Sequence, residues 1–298
     1  MCTRLRRWRQ GVAGRSGLWL KWQSWLTSRI TQENILDLEL RGKKVLITGA
    51  SKGLGLACAH GFASEGAIVH IAARNESALK SAAADIEKQY KTKAFAHAVD
   101  LSKTENAVAL GKACADIDIL VNNAGAIPGG SLLEITDERW RQAWDLKVFG
   151  FINLTREIYK SMIQRKSGAI VNIIGVAGER HRSNYITGTT GNAGLMAFTR
   201  ALGSESVDHG IRVVGVNPGR IETERQIGHF KEQALQQFGD ESRWPELQAK
   251  VIASLPFGRA GKPSEVSDLV TFLASARASY IRGTIVTIDA GSSLRARV

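Results

Sequence analysis

The 298-residue sequence is poor in features that would point to several common protein classes. It has only 5 prolines and an ordinary hydrophobic content of 44%, which argues against collagen-like and disordered chains. No apolar run approaches the ~18–20 residues of a membrane-spanning helix, so we expect no transmembrane segment. The 3 cysteines are odd in number and lack the spacing of a metal site. We therefore expect a reduced, cytoplasmic compartment and no metal.

Acidic residues are missing from the first 32 positions, which hold seven of the basic residues and four of the 7 tryptophans. Without those seven charges, the formal net charge falls from +12 to +5 over residues 33–298. We expect residues 1–36 to be an extension outside the folded domain. It could be a transit peptide, an interfacial helix, or sequence upstream of the true start. The rest supplies no basic helix or aromatic stacking platform, so nucleic-acid binding is not expected.

Short β-branched runs alternate with helical patterns from Lys43 onward. Seven runs are predicted to be strands, near residues 45–48, 68–71, 94–99, 119–121, 169–173, 211–216 and 284–288. Because helices separate them, we predict a single Rossmann-like, doubly wound α/β domain over residues 37–298. Its seven-stranded parallel sheet should carry helices on both faces. One long helix is predicted over residues 137–162, and the polar stretch at about 220–255 is predicted to be a mobile lid.

A glycine-rich turn follows the first predicted strand and opens a helix. It reads Thr48 to Gly55, with the spacing TGxxxGxG. Glycines let the backbone turn sharply and approach a pyrophosphate, and the helix N-terminus offers free N–H donors. Four further motifs follow strands in order: Asp100-Leu101, Asn122 to Gly125, Asn217 to Gly219 with Thr223, and Ile288 to Gly291.

With these motifs the chain resembles a short-chain dehydrogenase/reductase over nearly all of residues 40–292. The resemblance implies that Asp100 contacts adenine, that Asn123 and Ala124 line the ribose, and that Ile221 and Thr223 meet the nicotinamide amide. Ligands in such sheets bind at the carboxyl ends of the strands. The full set of predicted cofactor-binding residues is Gly49, Ser51, Lys52, Gly53, Leu54, Gly55, Arg74, Asp100, Leu101, Asn123, Ala124, Gly125, Pro218, Gly219, Ile221 and Thr223.

The end of the second predicted strand favours NADP(H) over NAD(H). An acid there would pair with the ribose 2′-hydroxyl of NAD and repel a 2′-phosphate. This strand instead ends in Ala72-Ala73-Arg74, and Lys52 lies in the glycine-rich turn. Two cations at one site favour a 2′-phosphate through charge-assisted hydrogen bonds. We therefore expect NADP(H) as the cofactor.

The catalytic residues of the family are not found at their usual positions. The family normally uses an Asn, a Ser, a Tyr and a Lys. A gapless reading places Lys147, Gly175, Gly188 and Asn192 at those four positions. Tyr185 precedes Asn192 by seven residues, which resembles the Tyr-to-Lys spacing of the enoyl-acyl-carrier-protein reductases.

We expect Tyr185 to donate the proton, with Lys147 as its charge partner and Asn192 on the nicotinamide ribose. Thr187, Thr189 or Thr190 could supply the hydroxyl that Gly175 lacks. The three candidates also have structural interpretations. Tyr185 could be a packing aromatic, Lys147 a charge at a subunit interface and Asn192 a helix-capping residue.

The sequence thus predicts an NADP(H)-dependent oxidoreductase that moves a hydride to or from a carbonyl or alcohol. One alternative is an enoyl-type C=C reductase. The other is a catalytically silent NADP(H)-binding protein that acts as a sensor or scaffold. We expect a small, partly apolar substrate. The resemblance implies a homodimer or homotetramer, with Trp140 and Trp144 on the helix that commonly packs between subunits.

Overall fold

The computed structural model describes residues 36–294, and these residues form a seven-stranded sheet. Residues 1–35, which make up nearly all of the predicted extension, lie outside the described part of the chain, as do residues 295–298. The strands are β1 Lys44–Thr48, β2 Ile68–Ala73, β3 Ala94–Ala98, β4 Ile119–Asn122, β5 Gly168–Ile173, β6 Ile211–Pro218 and β7 Ile285–Ile288.

The sheet is parallel throughout and has the order β3-β2-β1-β4-β5-β6-β7. The chain first winds outward from β1 to β3 and then restarts on the other side of β1 with β4. This reversal creates a crevice at the carboxyl ends of β1 and β4, where open α/β sheets bind ligands. The predicted sheet and its doubly wound class are confirmed.

Helices cover both faces of the sheet. On one face, Phe62, Leu79 and Val270 from three different helices pack over the buried strand residues. On the other face, Leu110 and Ile158 belong to a second core. The α-helices are α1 Gly53–Ser64, α2 Glu76–Tyr90, α3 Thr104–Ala113, α4 Asp137–Trp144, α5 Gly150–Arg165, α6 Ile186–Glu205, α7 Glu224–Phe238, α8 Trp244–Ala253 and α9 Pro263–Ala274.

The long helix predicted over residues 137–162 is interrupted by a π-helical turn. This turn spans Asp145–Phe149, between α4 and α5, and the amide of Gly150 donates to the carbonyl of Asp145 five residues earlier. A π turn holds one more residue than an α turn and so rotates the side chains that follow it. Lys147 lies in the middle of this turn and is buried.

The polar stretch outside the strand–helix alternation forms α7 and α8. Thr223 caps α7, and its hydroxyl accepts a hydrogen bond from the amide of Gln226. The guanidinium of Arg243, just before α8, lies over the ring of Phe238 at the end of α7. Among residues 36–294, no helix is long and apolar enough to cross a membrane.

Candidate active site

The glycine-rich turn joins β1 to α1 in the crevice. Gly49 has a φ of +66° and Gly53 a φ of +61°, a left-handed conformation that favours glycine. A Cβ at Gly55 would overlap the carbonyl oxygen of Gly49, so a larger residue would force the turn open. Ser51 and Leu54 are half-buried in the same turn, and the free amides of α1 begin at Gly53.

Hydrogen bonds tie this turn to the end of β4. The hydroxyl oxygen of Thr48 accepts from the amides of Asn123 and Ala124 at 2.9 and 3.0 Å. The side-chain amide of Asn123 donates to the carbonyls of Thr48 and Gly49 at 2.9 and 3.2 Å. Asn123 and Ala124 therefore lie at the predicted edge, and Asn123 uses its amide protons to fix the glycine-rich turn.

Positive side chains border the outer part of the crevice. Arg74 is exposed directly after β2, and its charge acts on the carboxylate of Asp100 after β3. Burial raises the pKa of Asp100, but hydrogen bonds from Ser102 and the charge of Arg74 outweigh it, and the pKa falls below its ordinary value. Leu101 is buried beside Asp100. Lys52 is exposed, and its Nζ lies 3.4 Å from Glu224 Oε2 in α7.

The end of β6 forms the far wall. Pro218 is the last residue of β6, and the amide of Gly219 donates to the carbonyl of Ile288 at 2.9 Å. Ile221 is buried and bridges to Gly261. Thr223 faces the glycine-rich turn, because a Cβ at Gly53 would lie 3.8 Å from its methyl carbon. These walls, the free amides of α1 and the cations fit a dinucleotide.

Lys147 points into the protein interior. Its Nζ donates to the carbonyl oxygen of Ile173 at 2.8 Å and lies 4.7 Å from the centre of the Phe151 ring. Burial, assisted by the positive charge of Arg225, lowers the pKa of Lys147 to about 7. Gly125 leaves room for the aliphatic part of Lys147, since a Cβ there would lie 2.5 Å from its Cδ.

Tyr185 covers the position at which the family normally has its tyrosine. It is the N-cap residue of α6, and its ring lies against the Cα of Gly188 one turn later. A Cβ at position 188 would overlap Cε1 and Cζ of this ring. The ring therefore takes up the volume that a side chain at position 188 would need. A gapless reading of the sequence cannot show that the ring of Tyr185 fills the space of a side chain at position 188.

The positive charge that acts most strongly on the phenol of Tyr185 is that of Arg225, which sequence reasoning missed, and Arg182 adds a smaller contribution. Its Nη1 and Nη2 donate to the carbonyls of Gly125 and Ile127 at 2.9 and 3.1 Å, so α7 is pinned to the loop after β4. Burial raises the pKa of Tyr185, while the charge and hydrogen bond of Arg225 act to lower it. The net shift is upward. The charge of Arg225 acts on both Tyr185 and Lys147.

Asn192 lies beside Gly175 with one polar atom unused. Its Nδ2 donates to the carbonyl of Gly175 at 3.3 Å, and its buried Oδ1 has no hydrogen-bond partner among the described residues. Gly175 has a φ of +117°, so a serine at this position would be strained. The amide of Gly175 donates to Oδ1 of Asn217 at 3.3 Å.

The three threonines proposed to replace the missing serine differ in their partners. Thr190 donates its hydroxyl to the carbonyl of Ile186 at 2.7 Å, and Thr189 bonds to the backbone of Arg182. Thr187 is fully buried, and its hydroxyl has no partner among residues 36–294. Of the three, Thr187 alone has no hydrogen bond to its hydroxyl within the described structure.

Known proteins share this architecture. A family model described as short chain dehydrogenase matches residues 43–234. The 3-oxoacyl-[acyl-carrier-protein] reductase FabG of Chlamydia muridarum is 33% identical over 256 residues, covering 85% of this chain and 98% of that protein. Galactitol 2-dehydrogenase (L-tagatose-forming) of Cereibacter sphaeroides is 32% identical over 254 residues, covering 85% and 95%.

A solved structure agrees with these relatives. The L-sorbose reductase of Gluconobacter frateurii, complexed with NADPH and L-sorbose, has a TM-score of 0.81 and 32% sequence identity. The match covers 86% of this chain and 98% of that one. Because the family model spans more than half of the sequence and these relatives match at nearly full length, the resemblance is confirmed. The chain belongs to the short-chain dehydrogenase family of oxidoreductases.

Proposed function

We propose that this protein is an NADP(H)-dependent oxidoreductase that interconverts a ketone and a secondary alcohol. The observation that carries the proposal is the ring of Tyr185, which lies over Gly188 and whose phenol is acted on by the positive charge of Arg225. A proton donor is thereby present although glycine occupies the usual tyrosine position. The relatives support this class of substrate, because their names describe a 3-oxoacyl reductase, a galactitol 2-dehydrogenase and an L-sorbose reductase.

The cofactor is assigned from the charges around the crevice. Lys52 and Arg74 are exposed at the ends of the neighbouring strands β1 and β2, and no acid ends β2 to pair with a ribose 2′-hydroxyl. The ion pair of Lys52 with Glu224 is exposed and weak, so a phosphate can replace it. The sorbose reductase was crystallised with NADPH, which agrees with this assignment. Bound in the crevice, the cofactor supplies or accepts the hydride.

Tyr185 transfers the proton. In the reductive direction its hydroxyl donates to the carbonyl oxygen of the substrate and becomes a phenolate, which the adjacent charge of Arg225 stabilises. Lys147 is a second positive charge only when protonated, a form that its burial and the charge of Arg225 both disfavour. The unpartnered Oδ1 of Asn192 is an acceptor for a hydroxyl of the nicotinamide ribose.

The α7 helix serves as the lid over the crevice. Arg225 fastens its first turn to the loop after β4, and Glu224 reaches Lys52 in the glycine-rich turn. Both contacts involve exposed or half-exposed side chains, which can open and close at low cost. The contact that activates Tyr185 therefore forms only when the lid is closed.

We also expect the chain to form homodimers or homotetramers through α4 and α5. The ring centres of Trp140 and Trp144 on α4 lie 6.1 Å apart, and Phe149 is 46% exposed at the end of the π turn. Together with Asp137 and Arg141 they line a surface groove. Half-exposed aromatic rings on one helical face are typical of subunit interfaces.

The second candidate is a catalytically silent NADP(H)-binding protein. It is favoured by the residues at the four usual catalytic positions, since none of them has the family's side chain. Steady-state NADPH oxidation by the full chain separates these functions, with ketones, aldehydes and enones as substrates. We expect turnover with a ketone and a preference for NADPH over NADH. Tight NADPH binding without turnover on any carbonyl supports the silent protein, and turnover on enones alone supports an enoyl-type reductase.

A further inference from the structure

Two histidines and a cysteine converge at the edge of the sheet, away from the residues discussed above. Nδ1 of His70 in β2 and Nε2 of His97 in β3 are 3.0 Å apart. The sulfur of Cys114, the C-cap residue of α3, lies 3.9 Å from Nε2 of His97. All three donor atoms lie within 4.8 Å of one another. These residues are far apart in sequence, and only the fold brings them together.

The spacing suits a tetrahedral cation. With metal–nitrogen bonds of about 2.0–2.1 Å and a metal–sulfur bond of about 2.3 Å, tetrahedral ligands lie roughly 3.3–3.6 Å apart. The observed nitrogen–nitrogen and nitrogen–sulfur separations of 3.0 and 3.9 Å bracket this range. The donor atoms of the third pair, His70 and Cys114, lie within 4.8 Å of each other, and cation binding requires these side chains to rotate into the tetrahedral range. Thiolate and imidazole ligands select zinc-type cations over Mg²⁺ and Ca²⁺.

The surroundings supply an entry path and a counter-charge. β3 is an edge strand, and both histidines are only half-buried, whereas Cys114 is buried at the back of the cluster. The carboxylate of Asp116, which pairs with Lys44, acts electrostatically on both His70 and Cys114. At His70 the effect of Asp116 exceeds the opposing effect of Lys44, and a net negative influence favours a bound cation. The ring of Phe95 stacks on the ring of His70 with 4.7 Å between their centres, and this packing limits the rotation of the imidazole.

We propose that His70, His97 and Cys114 bind a single zinc-type divalent cation, with water in the fourth position. On binding, the thiol of Cys114 loses its proton to solvent and the sulfur bonds to the cation. The cation joins the edge strand β3 and the neighbouring β2 to the C-terminal end of α3. Its role is to stabilise this corner of the sheet, and it does not depend on the proposed reaction.

Titration with Co²⁺ and Zn²⁺ tests the site in the full chain carrying Cys2→Ser, which removes the cysteine outside the described residues. The matched control is Cys58→Ser, because Cys58 is the other described free cysteine and is buried in the opposite core. We expect one Co²⁺ per chain with a thiolate-to-cobalt absorption band. Zn²⁺ at about 100 times its Kd should raise Tm by several degrees, whereas Mg²⁺ should not.

Removal of a ligand should abolish these signals. Cys114→Ser should lose the absorption band and weaken binding by more than about 100-fold, beyond the 10–100-fold typical for loss of an outer-shell group. Cys58→Ser should keep the absorption band and the binding affinity. His97→Gln is the second test if Cys114→Ser does not fold, as judged by circular dichroism. The proposal is overturned if the Cys2→Ser protein shows no band, or if the folded ligand variants bind Co²⁺ as tightly as it does.

Discussion

Gly188→Ala perturbs the arrangement on which the proposed chemistry rests. Gly188 is buried in α6, and a Cβ there would overlap the ring of Tyr185. Gly194 lies in the same helix, and a Cβ at that position would have no described atom within 4 Å beyond its chain neighbours and the adjacent helix backbone. The two Gly→Ala substitutions therefore add the same methyl group to the same helix, and they differ in whether it meets the tyrosine.

The expected magnitudes follow from this difference. Replacing a helical glycine by alanine stabilises a helix by roughly 0.8–1.0 kcal/mol, which is the expected gain for Gly194→Ala. At Gly188 the same gain is opposed by an overlap that costs roughly 1–3 kcal/mol if the ring stays in place. The ring is displaced instead, and a displacement of about 1 Å costs roughly 10²-fold in turnover.

Two measurements check this prediction. In steady-state NADPH oxidation, Gly188→Ala should lower kcat by about 100-fold, whereas Gly194→Ala should leave it unchanged. In urea denaturation, Gly188→Ala should become stabilising when Tyr185→Ala removes the ring, since no ring then has to leave its packed position. Unchanged turnover in Gly188→Ala would refute the placement of Tyr185 as the catalytic tyrosine.

Three further predictions follow from the charges of the site. Arg225→Gln should lower kcat roughly 10–100-fold and shift the pH–rate profile upward, since the phenolate of Tyr185 loses a stabilising positive charge; Arg243→Gln, between α7 and α8, should do neither. Because the pKa of Lys147 falls from 10.5 to about 7, the unfolded state binds more protons between these values. The stability of the wild type relative to Lys147→Met should therefore rise by about 1.4 kcal/mol per pH unit in this window, as measured by urea denaturation. Arg74→Asp should reverse the preference for NADPH over NADH in kcat/KM.

The sheet and the cofactor crevice could be predicted from local patterns. Buried β-branched runs mark the strands, and the glycine-rich turn between β1 and α1 has conformational requirements that restrict the sequence. These features depend on residues close together in the chain. The same is true of Asn123 and Ala124, which directly follow β4.

The contacts around Tyr185, the proposed proton donor, depend on packing between distant segments. Arg225 in α7 donates to the loop after β4, and its charge acts on Tyr185 from there; no periodicity marks this residue. The π turn at Lys147 was hidden within an ordinary amphipathic pattern. A gapless alignment compares positions along the chain, so it shows Gly188 as a loss and cannot show that the ring of Tyr185 fills the space above it.

Tyr185→Phe tests the central claim most directly, because it removes one hydroxyl and leaves the ring over Gly188. The matched control is Tyr280→Phe, since the Tyr280 side chain is fully exposed. With NADPH and a ketone substrate, Tyr185→Phe should lower kcat by about 10²–10⁴-fold, the range for loss of a general acid, while the Kd for NADPH and the kcat of Tyr280→Phe stay unchanged. Wild-type turnover in Tyr185→Phe would contradict the account.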